Sequence, residues 1–264
     1  MTGQQGLWDG IRIADLDGKA VLITGASTGI GAALVRAFAA QGTKVAIHYN
    51  ESRQAAMDLL AEVEGSGGTA VLVQGDVSAD GVTERVVGEA ASHFGRLDGL
   101  INNAGGMLGR VSTAEMSDAH YERVMDLNAR SVLAATRAAH PWLKRQGGFI
   151  INTTSIAARN GGGGGAILYA ASKSFVSTIT RGHAKEFAGD DIRVNAVAPG
   201  VIATPFHDRY TSPEMLDAQR KTVPMGRVGT PEECVGTYLF LASPTLSGYI
   251  TGQIIEVNGG QLMP

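Results

Sequence analysis

The chain has 264 residues, 44% hydrophobic and only 18% charged, so it can bury one substantial core. A formal net charge of −3 with no long Lys/Arg run leaves no electrostatic footprint for nucleic acid. Cys234 is the only cysteine, which excludes an intramolecular disulfide and a thiolate-rich metal site and fits a reducing compartment.

The opening stretch, MTGQQGLWDGIRIADLDGKA, has neither a cationic start followed by an apolar run nor a span long enough for a membrane. Residues 1–17 are read as an extension of a cytoplasmic protein and 18–264 as one domain. From Lys19 onward, short β-rich runs alternate with helical patterns. KAVLITG precedes IGAALVRAFAAQG, TKVAIHY precedes ESRQAAMDLLAEVEG, and TAVLVQGDV precedes a helix ending near Phe94. LDGLINNAG, GGFIINTTS, IRVNAVAPG and QIIEVNGG make seven strand candidates in all. Ile30, Leu34 and Phe38 form one apolar stripe, and Gly42 can end that helix. Near-continuous apolar strands separated by helices predict a parallel sheet covered on both faces, a doubly wound α/β domain. A stretch at about 204–228 breaks the rhythm and reads as a helical excursion over the sheet edge.

Ligands of such sheets bind just beyond the carboxyl ends of the strands. The first of these loops is TGASTGIG: Gly25 can make a tight turn, Gly29 leaves room for a phosphate, and Gly31 permits close helix packing. The following helix N-terminus offers free N–H groups to a pyrophosphate. The spacing is G-x-x-x-G-x-G, and four further motifs follow in order: NNAG at 102–105, Ser155 after the fifth strand, Tyr169-x-x-x-Lys173, and PG at 199–200. With these the chain resembles the short-chain dehydrogenases/reductases over roughly residues 17–261, which implies a seven-stranded Rossmann-like domain.

Tyr169 and Lys173 lie one helical turn apart, so the ammonium can approach the phenol and lower its pKa from about 10. Reduction of a ketone needs a hydride on carbon and a proton on oxygen; Tyr169 can supply the proton and Ser155 can bond the same oxygen. The resemblance adds a nicotinamide ribose contact for Lys173 and makes Asn128, in MDLNARS, the fourth catalytic residue; a helix-kinking role is the plain alternative for Asn128. It also places Ser27, Thr28 and Ile30 in the cofactor loop, and Asp76 and Val77 at the adenine, where Asp76 can equally cap the helix ahead. Asn102, Asn103, Ala104 and Gly105 would line the cofactor. Pro199, Gly200, Ile202 and Thr204 would lie toward the carboxamide and pyrophosphate.

Cofactor choice rests on HYNESR. Tyr49 stands where NAD users of the family usually carry Asp, and Asn50, Ser52 and Arg53 can receive a 2′-phosphate, so NADP(H) is favoured over NAD(H). Glu51 is close enough to reverse that, and Thr28 replaces a basic residue common in NADP users. Gly161–Gly165 fall at the rim of the implied substrate pocket, where bare backbone can yield to a substrate. The six histidines show no metal spacing, and only His207, in the excursion, is placed to meet substrate.

The pattern looks most like 3-oxoacyl-[acyl carrier protein] reductases and related bacterial ketoreductases, which implies a small-molecule ketone or alcohol substrate, free or acyl carrier-linked. Sugar or polyol dehydrogenases are the enzymatic rivals; a dinucleotide sensor without turnover is the non-enzymatic one. Lys144, Arg145 and Lys185 are candidate carrier contacts. The family commonly forms a homotetramer through helices corresponding to 117–141 and 169–188 and through its C-terminal strands.

Overall fold

The computed structural model describes residues 10–264. All seven strands form one parallel sheet: β1 (Ala20–Ile23), β2 (Lys44–Tyr49), β3 (Thr69–Gln74), β4 (Gly99–Asn102), β5 (Gly148–Thr153), β6 (Ile192–Pro199) and β7 (Ile254–Val257). Their order is β3-β2-β1-β4-β5-β6-β7. Winding reverses between β1 and β4, which opens a crevice at the carboxyl ends.

Side-chain alternation along β1 sends Val21 and Ile23 to one face and Leu22 to the other. The first face packs on α1 (Gly29–Ala40), α2 (Arg53–Gly65) and α10 (Pro231–Ala242), with Phe38, Leu59 and Tyr238 in the core. The second packs on α3 (Val82–Phe94), α5 (Ser131–Leu143) and α7 (Ile167–Glu186) through Val86, Ala135 and Ala184. Leu34 and Phe38 of the expected stripe are fully buried and Ile30 packs beside them; Gly42 ends α1 with φ +79°.

Between α4 (Asp118–Met125) and α5 the helix passes through a π-helical turn, Asp126–Arg130. The short α6 (Ala157–Asn160) precedes the glycine run, and α8 (Pro205–Tyr210) with α9 (Pro213–Lys221) forms the expected helical excursion. A last short helix, α11 (Pro244–Ser247), leads to β7. Residues 1–9 of the expected extension lie outside the described residues. Its end is packed: Leu16 is fully buried, and Asp15 accepts hydrogen bonds from Ser243 and the Thr245 backbone. No helix among the described residues is long and apolar enough to cross a membrane.

Candidate active site

A cavity of about 580 Å³ runs along the carboxyl ends of the strands, from Tyr49 and Asp76 past the glycine loop to Ser155, Tyr169 and Lys173. The glycine loop is built by two tight approaches. Gly25 adopts φ +60°, and a Cβ there would stand 2.8 Å from the Ala104 Cα; a Cβ on Gly31 would stand 2.3 Å from the Gly25 carbonyl oxygen. Thr28, the N-cap of α1, makes no side-chain cap bond, so its hydroxyl does not occupy the free N–H groups of the first turn. Those groups, facing a cavity that also reaches a catalytic Tyr/Lys pair, fit a dinucleotide.

Two side chains absent from the sequence argument hold this loop. His48 Nδ1 accepts from the Gly25 N–H at 3.0 Å, and Nε2 donates to the Gly75 carbonyl at 2.9 Å. Burial keeps its imidazole below the ordinary pKa, which preserves the neutral tautomer those two bonds require. The Thr24 hydroxyl accepts from the Asn103 and Ala104 N–H groups, and Asn103 Nδ2 returns bonds to the Thr24 and Gly25 carbonyls. Asn103 thus braces the loop while lining the cavity.

Of the expected cofactor residues, Gly25, Ser27, Thr28, Gly29, Ile30, Tyr49, Asn50, Asp76, Val77, Asn103, Ala104, Gly105, Pro199, Gly200, Ile202 and Thr204 all line the cavity. Three expectations differ. Asn102 is off the cavity wall, donating across the β4–β5 pair to Asn152 Oδ1; Gly31 is sealed by its packing; and Arg53, at the exposed first turn of α2, is off the wall that Glu51 and Ser52 share. Asp76 does not cap the next helix, which begins at Val82 with Gly81 as its N-cap; it closes the turn before it, accepting from the Ser78 N–H and hydroxyl.

The catalytic candidates come together from β5, α7 and the π-turn. The Ser155 hydroxyl accepts from the Ala157 N–H at 3.1 Å, and Ser155 and Tyr169 share the cavity wall. Lys173 Nζ donates to the Thr153 carbonyl at 2.9 Å and lies 5.8 Å from the centre of the Tyr169 ring. The sequence predicts a lowered phenol pKa, and the structure corrects this. Desolvation pushes Tyr169 up to about 12 against the pull of Ser155, and pushes Lys173 down to about 8. Desolvation outweighs the ammonium because Nζ is directed at a carbonyl rather than at the phenol.

Asn128 sits in the π-turn, fully buried, at the place where the helix departs from α geometry. Its Oδ1 accepts from the Gly106 N–H while Nδ2 donates to the Gly106 and Val124 carbonyls. It does not line the cavity, but a Cβ on Gly105 would stand 2.8 Å from its Oδ1 and 3.0 Å from Lys173 Nζ, so amide and ammonium flank one glycine.

The outer wall is formed by Met107, Leu127, Ile156 and the excursion. Phe206 packs over Tyr169 with ring centres 5.5 Å apart and contacts Tyr210 at 5.1 Å. His207 lines the cavity and is bonded to Thr211. Arg110 was missed: its Nε donates to the Tyr210 carbonyl at 2.7 Å and its Nη1 to the Gly164 carbonyl at 2.8 Å, joining excursion to glycine run. Gly165 (φ +71°) lets that run press on Arg110, where a Cβ would come within 2.9 Å. No spacing in the sequence marks this arginine. Among the described residues no group of three or more His, Cys, Asp or Glu side chains could hold a metal.

A tyrosine, a serine and a buried lysine on one cavity wall with a glycine loop at the switch point have the chemistry of an oxidoreductase site on a doubly wound sheet. The chain matches the family described as Enoyl-(Acyl carrier protein) reductase over residues 25–261. It is 39% identical over 249 residues to the 3-oxoacyl-[acyl-carrier-protein] reductase of Synechocystis sp., covering 94% of this chain and 98% of that one. Its structure is similar to the NADH-dependent reductase A1-R′ responsible for alginate metabolism, with TM-score 0.88 and 41% identity over 95% of this chain and 100% of the other. It is likewise similar to a short chain dehydrogenase from Burkholderia cenocepacia in complex with NADP, with TM-score 0.87 and 32% identity over 94% and 99%. The chain belongs to the short-chain dehydrogenase/reductase family and is an NAD(P)-dependent oxidoreductase acting on CH–OH groups.

Proposed function

We propose that the protein interconverts a free small-molecule ketone and its secondary alcohol, with Tyr169 as proton donor and acceptor, Ser155 as partner of the substrate oxygen, and Lys173 as ribose and phenol contact. The nicotinamide, when bound, supplies or accepts the hydride. The observation that carries this reading is the convergence of Ser155, Tyr169 and Lys173 on the wall of the cavity that also contains the glycine loop. In reduction the Tyr169 O–H gives its proton to the developing alkoxide while the Ser155 hydroxyl steadies it. Asn128 holds the Gly106 backbone beside Lys173 and acts by positioning.

The substrate reading moves away from a carrier-linked 3-oxoacyl thioester. Lys144 pairs with Asp190, Arg145 stacks on Trp142, and neither they nor Lys185 line the cavity. The cofactor balance moves as well. Glu51 shares the cavity wall with Tyr49 and Asn50 while Arg53 stands off it, which supports a carboxylate for the adenosine ribose and favours NADH over NADPH. Purified protein assayed with both cofactors against ketones, diketones, sugars and steroids tests this. NADH should be preferred by about tenfold, and Glu51→Gln should narrow the gap. A tenfold preference for NADPH, lost in Arg53→Ala, would return the assignment to Arg53. Absence of turnover with either cofactor across the panel would favour a dinucleotide sensor.

A further inference from the structure

We propose, resting on the oxidoreductase reading above, that the ketone substrate carries an oxyanionic group, carboxylate or phosphate, and that Arg110 binds it. Charge is unevenly distributed along the cavity. The carboxylates on its wall, Glu51 and Asp76, follow β2 and β3 on the cofactor side of the switch point. On the substrate side, which follows β4 to β6, the wall carries Arg110, His207, Arg209 and Lys173 and no carboxylate. Asp208, the acidic neighbour of His207, is exposed and off the wall.

Neither Arg110 nor Arg209 enters an ion pair among the described residues. Arg110 is half-buried, and its two bonds go to carbonyls, which orient the guanidinium without neutralising it; Nη2 has no protein acceptor. A half-buried cation facing a cavity without a counter-charge is matched by an anionic ligand, which an arginine fork accepts through short charge-assisted bonds. Desolvation first, and the Arg110 charge after it, hold the His207 imidazole below its ordinary pKa against the opposing pull of Asp208.

The glycine run now has a chemical reason. A Cβ on Gly163 would stand 3.8 Å from Arg110 Nη1, so a longer side chain there would lie over the guanidinium. Bare backbone leaves it open and supplies the carbonyl that aims it. On the other side the Arg110–Tyr210 bond ties the group to the excursion, whose Phe206 packs on Tyr169.

The test compares initial rates for oxo acids with those for their methyl esters, and for phosphorylated ketoses with those for the free ketoses, in wild type and in two variants. At least one anionic series should exceed its neutral counterpart in kcat/KM by about tenfold to a hundredfold, mostly through KM, and which series does so identifies the group. Arg110→Gln should collapse that ratio, lowering turnover of the anionic compound far more than of the neutral one. Arg110→Lys should retain most of the ratio, because it keeps the charge while losing the paired carbonyl bonds. Equal rates for anionic and neutral compounds in wild type, or equal losses for both in the Gln and Lys variants, would overturn the proposal and leave Arg110 a strut between excursion and glycine run. If no ketone is turned over with either cofactor, the oxidoreductase reading fails and this one with it.

Discussion

At the scale of single residues, burial acts in opposite directions on the two central candidate groups, keeping the Tyr169 phenol neutral and making the Lys173 ammonium costly. With its phenol pushed up to about 12, Tyr169 stays protonated through the neutral range and is ready as the acid for reduction. Tyr169→Phe removes only that proton, so kcat should fall by about a hundredfold to ten-thousandfold while cofactor affinity, measured by fluorescence titration, changes little. Near wild-type turnover would refute the assignment. Lys173 shows the cost of the same burial. Its pKa is lowered from 10.5 to about 8, so the folded protein binds fewer protons than the unfolded chain between those values, and stability rises with pH across that window. Below about pH 8 the buried ammonium is a full liability. Lys173→Met should therefore raise the unfolding free energy of the cofactor-free protein at about pH 7 by about 1–2 kcal/mol while abolishing activity. The gain should shrink as pH rises from about 8 to 10.5. A Met variant no more stable than wild type at neutral pH would show that the Thr153 bond outweighs desolvation.

At the scale of elements, the junction of β1 and α1 is where packing and binding meet. Gly31 lets the helix close on the Gly25 carbonyl and on Asn103, and the same closure directs the first-turn N–H groups into the cavity. Gly31→Ala would force these apart, costing about 2 kcal/mol by overpacking and weakening dinucleotide binding together with thermal stability. Calorimetry and cofactor titration should register both losses; an Ala variant with wild-type affinity would mean that the loop geometry is not limiting. The π-turn at Asp126–Arg130 is a second such element: the extra residue in the turn aims Asn128 at the Gly106 backbone instead of letting it fall on the helix exterior.

At the scale of the whole molecule, several large apolar side chains stand exposed, and two groups of them fall on the segments expected to pair copies of the chain. Tyr121 and Leu133 protrude from α4 and α5, and Leu246, Tyr249 and Met263 from the C-terminal region. Two such surfaces suit the assembly of four copies through two kinds of symmetric contact. Sedimentation at micromolar concentration should give a tetramer, and Tyr249→Glu with Leu246→Glu should reduce it to dimers; a monomeric wild type would refute both contacts.

What the sequence determined by itself is whatever depends on neighbours along the chain. Strand alternation, the Leu34/Phe38 stripe, the position of each motif after its strand and the Tyr169/Lys173 spacing are local periodicities, and they place the seven strands and nearly all of the cofactor wall. The excursion was legible for the same reason, as a break in rhythm. Tertiary structure decided what depends on the surroundings in space. The direction of the Tyr169 shift follows from desolvation by distant segments, and the removal of Arg53 from the cavity follows from where the first turn of α2 points. His48 became the support of the glycine loop only because β2 lies beside β1 and opposite Gly75. Arg110 acquired its place because the loop after β4 meets both the glycine run and α8, more than 50 residues away in sequence in each case. Side-chain chemistry is written in the chain, but the field and the partners that each group meets are set by contacts between segments remote in sequence.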